Sequence, residues 1–254
     1  MVVFMDKNKL ARAATKAGMI LLESGAETYR VEDTMTRICK AYGADVVDAY
    51  ATPTMILISF SIDGELVHNI KRTSIKSVDL TKVDKVNDIS RRVSSKHMSL
   101  NELMSCLDEL DHVKLYPYWL QILGAAMSTF GFGLFFGGSL KDSLCAFILG
   151  ALLKMFLIVL NRIEFNAFFT NLLGGSFVTI GAFGCLALGI CDSLDIVIIS
   201  SIMLLVPGLA VTNAIRDSVS GDLFSGLART TEAIFIAVAI ALGSGIVFAL
   251  LGGM

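Results

Sequence analysis

The stretch Ile196–Glu232, IVIISSIMLLVPGLAVTNAIRDSVSGDLFSGLARTTE, decides how the rest of the chain is read. Its first 20 residues, Ile196–Ile215, are uncharged, about the length that crosses a bilayer as a helix. Pro207-Gly208 interrupts that span, which then runs through Asn213, Arg216 and Asp217 into a connection bearing Gly221, Asp222, Gly226 and Arg229, and on to Glu232. A proline in a helix frees a backbone carbonyl, and an adjacent glycine weakens the helix further. At membrane depth such a break survives only where protein or a watery cavity satisfies the freed groups. Two readings fit: a transport site beside a broken span, or a kink with an ordinary capped end.

Outward from this stretch the charge is very uneven. Of the 21 Lys and Arg in 254 residues, 16 lie in the first 114, and only Lys141, Lys154, Arg162, Arg216 and Arg229 follow. Leu115–Leu140, Phe165–Cys191 and Ala233–Met254 carry no charge at all. Ser143–Leu160 has the same character but contains Lys154. The expected architecture is a small α+β domain over 1–113, followed by an α-helical integral membrane domain over 114–254. The latter has five transmembrane helices, at about 116–138, 143–161, 171–191, 196–215 and 232–252. The amino-terminal segment lacks a hydrophobic run that would read as a secretory signal. A net charge of −2 gives no reason to expect nucleic acid as a partner.

Basic residues also orient the chain. With 1–113 in the cytoplasm, the links holding Arg162 and Arg216–Arg229 fall inside, leaving Lys141 outside; this predicts a multi-pass protein of the cell (plasma or inner) membrane, N-terminus cytoplasmic and C-terminus outside. Cys39, Cys106, Cys145, Cys185 and Cys191 show no CxxC spacing, and His68, His97 and His112 no metal spacing, so neither metal nor cofactor is expected.

Within 1–113, helical periodicity spans Leu10–Glu23 and Glu27–Tyr42, with Ser24-Gly25 between them. Val46-Val47, Thr54–Ile62 and Leu66–Lys71 read as strands, with an Asp63-Gly64 turn; the nearly continuous apolar run Met55–Phe60 suggests cover on both faces. Asp79–Val93 and Ser99–Val113 read as helices, the latter with capping-box spacing at Ser99 and Glu102. Ser24, Gly25, Glu27, Arg30 and Glu32 are the chemical candidates here, as a polar lining or an ion-pair network. The plainer reading has Glu27 and Asp33 complementing a positive helix end, and Arg30 pairing with Asp33 or Thr34. Ser24 has no His/Asp partners, and there is no nucleotide loop, so neither a hydrolase nor an ATP-driven pump is indicated.

In the membrane part, Tyr116, Tyr118 and Trp119 read as an interfacial belt, and Gly133-x-x-x-Gly137 as a helix-packing surface. Lys154, mid-span, is either a carboxylate receptor or a snorkelling side chain. Asn213 and Asp217 share a helix face with Arg216 beside them; Asp222, Arg229 and Glu232 follow. Acids beside arginines suit proton-coupled movement of a small carboxylate-bearing substrate.

SGAETYRVEDT at 24–34, PTMILISF at 53–60 and LVPGLAVTNAIRDSVSGDLFSGLAR at 205–229, in this order across nearly the whole chain, resemble the threonine/serine exporter family in its shorter form. The resemblance implies a cytoplasmic domain, five spans and secondary export without a cofactor. Substrates would be threonine and serine or, in split forms, small dicarboxylates such as succinate. It also implies a separately encoded small membrane subunit as partner. The family's polar motifs fall on Ser24, Glu27, Arg30 and Glu32, then on Pro207, Gly208, Asn213, Arg216, Asp217, Gly221, Asp222, Gly226 and Arg229; Lys154 matches none. The expectation is a non-enzymatic, proton-driven exporter subunit in contact with membrane lipid. The alternative is a regulatory or assembly subunit whose partner conducts.

Overall fold

The computed structural model describes residues 6–73, 78–95, 98–111, 116–163 and 165–251. His97, His112 and Glu164 lie outside them. The elements run α1 (Lys7–Glu23), α2 (Thr28–Ala41), β1 (Val46–Thr52), β2 (Met55–Ile62), β3 (Glu65–Arg72), α3 (Leu80–Ser95) and α4 (Leu100–Asp111). Then come α5 (Tyr118–Phe135), α6 (Leu140–Arg162), α7 (Ala167–Ala187), α8 (Leu194–Ile202), α9 (Gly208–Val219) and α10 (Leu223–Leu251). Two compact units result: one of 1–114 with Leu209–Thr230, the other of 115–208 with 231–254.

The first unit is an α+β layer. Helix α1 starts where Asp6 accepts a hydrogen bond from the Lys9 N–H and stops at Gly25, whose φ of +86° suits glycine. There the N–H groups of Gly25 and Ala26 return to the carbonyls of Leu22 and Leu21, a Schellman ending. The stripe Leu10, Ala14, Ala17 and Leu21 meets Val31, Met35 and Ile38 of α2, all fully buried. Three antiparallel strands lie in the order β1-β2-β3, the second hairpin closed by Asp63 and Gly64, both at positive φ as a two-residue turn requires. The Ser99–Glu102 capping box starts α4.

One strand expectation is corrected. Burial along β2 alternates strictly, with Ile56, Ile58, Phe60 and Ile62 in the core. On the other face Leu57 pairs with Tyr50 and Ile70, both exposed. That face is open at Tyr50 and Ile70 among the described residues, so the apolar run does not mean a doubly covered strand.

The second unit is helical. Among the described residues three helices, α6, α7 and α10, are long and apolar enough to cross a membrane, which makes this a multi-pass membrane protein. On α6 the exposed stripe Leu144, Ile148, Leu152, Met155 and Val159 runs beside the buried stripe Cys145, Leu149 and Leu153. An apolar stripe facing outward suits lipid rather than water. The five-span expectation therefore reduces to three by length and composition. Helix α5, at 18 residues, is long enough but falls short in composition, because Tyr118, Trp119 and Gln121 dilute its first turn. The stretch 196–215 is not one helix: α8 ends at Ile202, a turn follows, and Pro207 precedes the first residue of α9. The proline separates two helices instead of kinking one.

Small residues set the helix contacts of this unit. A Cβ on Gly133 would lie 2.9 Å from Ser143 Cα, so this glycine lets α5 and α6 approach closely. Gly137 has a different job from the packing role its spacing suggests. At φ +82° it stands just past the end of α5, and a Cβ there would meet no atom within 4 Å. Ser176 Oγ of α7 donates to the Gly243 carbonyl of α10 (3.0 Å). The buried carboxylate of Asp142, not singled out from sequence, accepts from the backbone of Ser139, Asp192 and Ser193 and so ties the α5–α6 link to the α7–α8 link.

Candidate functional site

The turn between α1 and α2 is where polar groups of the first unit converge. The α1 ending leaves the carbonyls of Gly25 and Ala26 turned out of the helix ladder. The first N–H groups of α2 are also open, because Glu27, at the N-cap position, makes no side-chain capping bond. Distant residues fill these vacancies. Asp217 Oδ1 accepts from both the backbone N–H (3.1 Å) and the hydroxyl (2.8 Å) of Thr28, capping α2 from α9. Asn213, one turn earlier on the same face of α9, donates through Nδ2 to the Gly25 carbonyl (2.8 Å). Arg229 Nη2 of α10 donates to the Ala26 carbonyl (2.9 Å).

Asp217 and Arg229 are the charged centre of this arrangement, 0% and 2% exposed. Arg229 Nε stands 3.0 Å from Asp217 Oδ2, but off the hydrogen-bonding direction, so that both atoms are buried without an aligned partner. The contact is an ion pair held by charge, with hydrogen-bonding capacity left over on each side. Around it, Glu27 Oε1 pairs with Arg216, and Glu27 Oε2 stands 3.3 Å from Arg30 Nε. Burial opposes ionisation of Glu27, yet its own backbone N–H, Arg216 and Arg30 outweigh burial and hold the carboxyl below the usual carboxylate range.

Glu32 behaves in the opposite way. Its Oε1 accepts from the Ala51 N–H (2.9 Å), but burial, with Asp222 and Asp217 adding negative charge, pushes its carboxyl above the usual range. Asp222 caps α10 by accepting the Ser225 N–H through Oδ1 (3.1 Å), while its Oδ2 is buried without a partner. The same three-residue link ends α9, since the Asp222 N–H returns to the Asp217 carbonyl (2.9 Å). One short connection thus fixes both acids.

The threonine/serine exporter (ThrE) family profile matches residues 12–251. The chain belongs to the threonine/serine exporter family. Among its relatives, a "Probable threonine/serine exporter" of Mycobacterium tuberculosis is 25% identical over 94% of this chain and 46% of its own length. The "Threonine/serine exporter" of Corynebacterium glutamicum is 24% identical over 92% of this chain and 49% of its own. A "Probable succinate transporter subunit YjjP" of Klebsiella aerogenes is 24% identical over 94% of this chain and 92% of its own. The chain thus spans about half the length of the exporter relatives and nearly all of the succinate-named one. No solved structure matches it.

In this exporter-family chain the sequence candidates separate into two groups. Gly25, Glu27, Arg30, Asn213, Arg216, Asp217 and Arg229 form one cluster, with Glu32 and Asp222 beside it. Ser24 is buried as the last cap of α1 and gives its carbonyl to the Asp79 N–H. Arg30 pairs with Glu27 rather than with Asp33 or Thr34; Asp33 instead faces Arg37 one turn on (2.5 Å). Glu232 is exposed, Pro207 half-buried and Gly208 exposed. Lys154 is half-buried on α6, with no ion-pair partner among the described residues. Thr28, which bonds Asp217 twice, carries no signal in the sequence beyond its place at the start of α2. Among the described residues no His/Cys/Asp/Glu group could hold a metal.

Proposed function

We propose that this chain is a subunit of a secondary, proton-driven exporter of small carboxylate-bearing metabolites, either threonine and serine or a dicarboxylate such as succinate. The observation that carries the proposal is the buried, misaligned Asp217–Arg229 pair seated on the start of α2. A pair with unspent hydrogen-bonding capacity is suited to exchange partners. A substrate carboxylate reaching Arg229 or Arg216 would compete with Asp217 or Glu27 and loosen their hold on the 24–28 turn, which would then act as a gate at the cytoplasmic mouth.

Of the acids, Glu32 has surroundings that favour the neutral form, whereas Asp217 faces Arg229. We assign proton coupling to Glu32 together with Asp222. Asn213 would bind a polar substrate group, Pro207-Gly208 would shape the pathway, and Lys154 would attract the carboxylate within the membrane. Five crossings with the C-terminus outside belong to the same proposal. In it α5 and the α8–α9 segment supply the two crossings beyond α6, α7 and α10. The tie through Asp142 supports placing the two links poorest in basic residues at one end. A small, separately encoded membrane subunit would complete the transporter.

A second reading, a regulatory or assembly subunit, is favoured by one observation: the polar cluster lies wholly within the unit that carries the α+β layer. Sealed proteoliposomes separate the two. Labelled threonine, serine and succinate are supplied to this chain alone, to a small family partner alone, and to both, with and without an imposed proton gradient. Gradient-driven movement only in the paired sample supports the exporter-subunit proposal. Full-rate transport by the partner alone overturns it in favour of the regulatory reading.

A further inference from the structure

A second polar feature lies between α2 and α3. Residues 30, 33 and 37 repeat at helical spacing along α2, and Asn87 and Arg91 repeat at the same spacing along α3. Between these two stripes opens a cleft of about 420 Å³, with Tyr29 at its edge. That volume is within the range of roughly 300–1,000 Å³ common for small-ligand sites.

Its charge is unbalanced. Three guanidinium groups, of Arg30, Arg37 and Arg91, line the cleft against the single carboxylate of Asp33, a surplus of two positive charges among the lining side chains that Glu27 offsets in part at Arg30. Arg37 is matched by Asp33 at 2.5 Å. Arg30 shares Glu27 with Arg216, so that one carboxylate serves two cations. Arg91 has no carboxylate partner among the described residues. Guanidinium groups present paired donors that match carboxylate and phosphate oxygens, and the Asn87 amide and Tyr29 hydroxyl add neutral hydrogen-bonding groups. A zwitterionic amino acid carries no net charge to answer the surplus, whereas a dianion does so more strongly than any monoanion.

We propose that this cleft binds a small dianion, a dicarboxylate or inorganic phosphate, held mainly by Arg91 and Arg37. The cleft adjoins the Asp217–Arg229 cluster through Arg30, but Arg91 and Arg37 lie outside that cluster. Its occupancy is measurable without a membrane, so failure of the transport proposal would leave it standing.

The test is calorimetric titration of the full chain in detergent at low ionic strength with succinate, phosphate, threonine and acetate. Saturable binding is expected for at least one dianion, at least tenfold tighter than for threonine or acetate, and weakening with added salt. Arg91→Gln, an exposed change that keeps the melting temperature, should weaken it at least fivefold. Asp33→Asn should tighten it about threefold by releasing Arg37, an effect that misfolding does not produce. Succinate and phosphate arms showing this pattern singly identify the occupant. Threonine binding as tightly as both dianions, no dianion binding to folded protein, or binding unchanged in both variants overturns the proposal.

Discussion

Asp217 Oδ1 receives two hydrogen bonds from Thr28, a residue 189 positions earlier in the chain. An α2 start without its own side-chain cap is completed by a carboxylate from α9, and the second oxygen of that carboxylate meets Arg229 of α10. Capping, charge pairing and anchoring of the turn all pass through one side chain.

Removing one partner of that pair should be worse than neutralising both. Arg229→Met leaves Asp217 buried without its cation, and Asp217→Asn leaves Arg229 buried without its anion. Each should destabilise by about 3–5 kcal/mol, because an unpaired buried charge remains. The double variant Asp217→Asn, Arg229→Met should recover most of that loss. Thermal unfolding in detergent of the two single variants and the double variant measures it. Additive losses would show that the two side chains do not act as a pair.

Glu32 sets an upper pH limit. Its folded-state carboxyl lies above the ordinary value, so its stabilising contribution is complete below the unfolded-state pKa and is lost as pH rises through the folded one. Glu32→Gln, which keeps an acceptor for the Ala51 N–H, should raise the melting temperature near pH 7 and leave it unchanged near pH 4. If Glu32 carries the coupled proton, the same variant flattens the pH dependence of transport in proteoliposomes. A melting temperature that falls at pH 7 would count against the assignment.

Glu27 sets the limit on the acid side. Its carboxyl is held below the ordinary value, so its contribution is present above the unfolded-state pKa and disappears as pH falls through the folded one. Glu27→Gln should lower stability at pH 7, with the difference from the native chain closing as the medium is acidified below about pH 4. Arg216→Gln should reproduce part of this effect. Acid-unfolding curves of the three proteins supply the comparison.

Gly133 and Gly137 should respond differently to substitution. Gly133→Leu forces a side chain against the Ser143 backbone and should separate α5 from α6, destabilising by about 1–3 kcal/mol or more. Gly137→Ala meets no neighbour but must hold a positive φ, a strain of about 1 kcal/mol. Cross-linking between cysteines placed on α5 and α6 should fall in the first variant and persist in the second.

Much of the fold was legible because local rules agree with one another. Apolar stripes placed Leu10–Leu21 and Val31–Ile38 inside, Asp63-Gly64 turned the second hairpin, and Ser99 with Glu102 started α4. The sequence misleads where one pattern serves two outcomes. Pro207 reads equally as a kink or as a helix boundary, since either satisfies its fixed φ and missing N–H. The apolar run Met55–Phe60 does not say how many faces of the sheet are covered. Gly133 and Gly137 share a motif spacing, yet only one lies at a helix contact.

By itself, the sequence determined that the chain is membrane-embedded, that an α+β layer precedes the apolar helices, and which polar residues are available for a site. Uncharged runs and side-chain periods are local quantities, set by the length and solvent of each segment. Only the tertiary structure decided that Asn213, Asp217 and Arg229 meet the 24–28 turn, that the carboxyl of Glu27 is shifted down while that of Glu32 is shifted up, and that Arg91 and Arg37 line one cleft. Those outcomes depend on which helix supplies the missing cap, and on the burial and neighbouring charge of each carboxyl. Linear spacing carries none of that information.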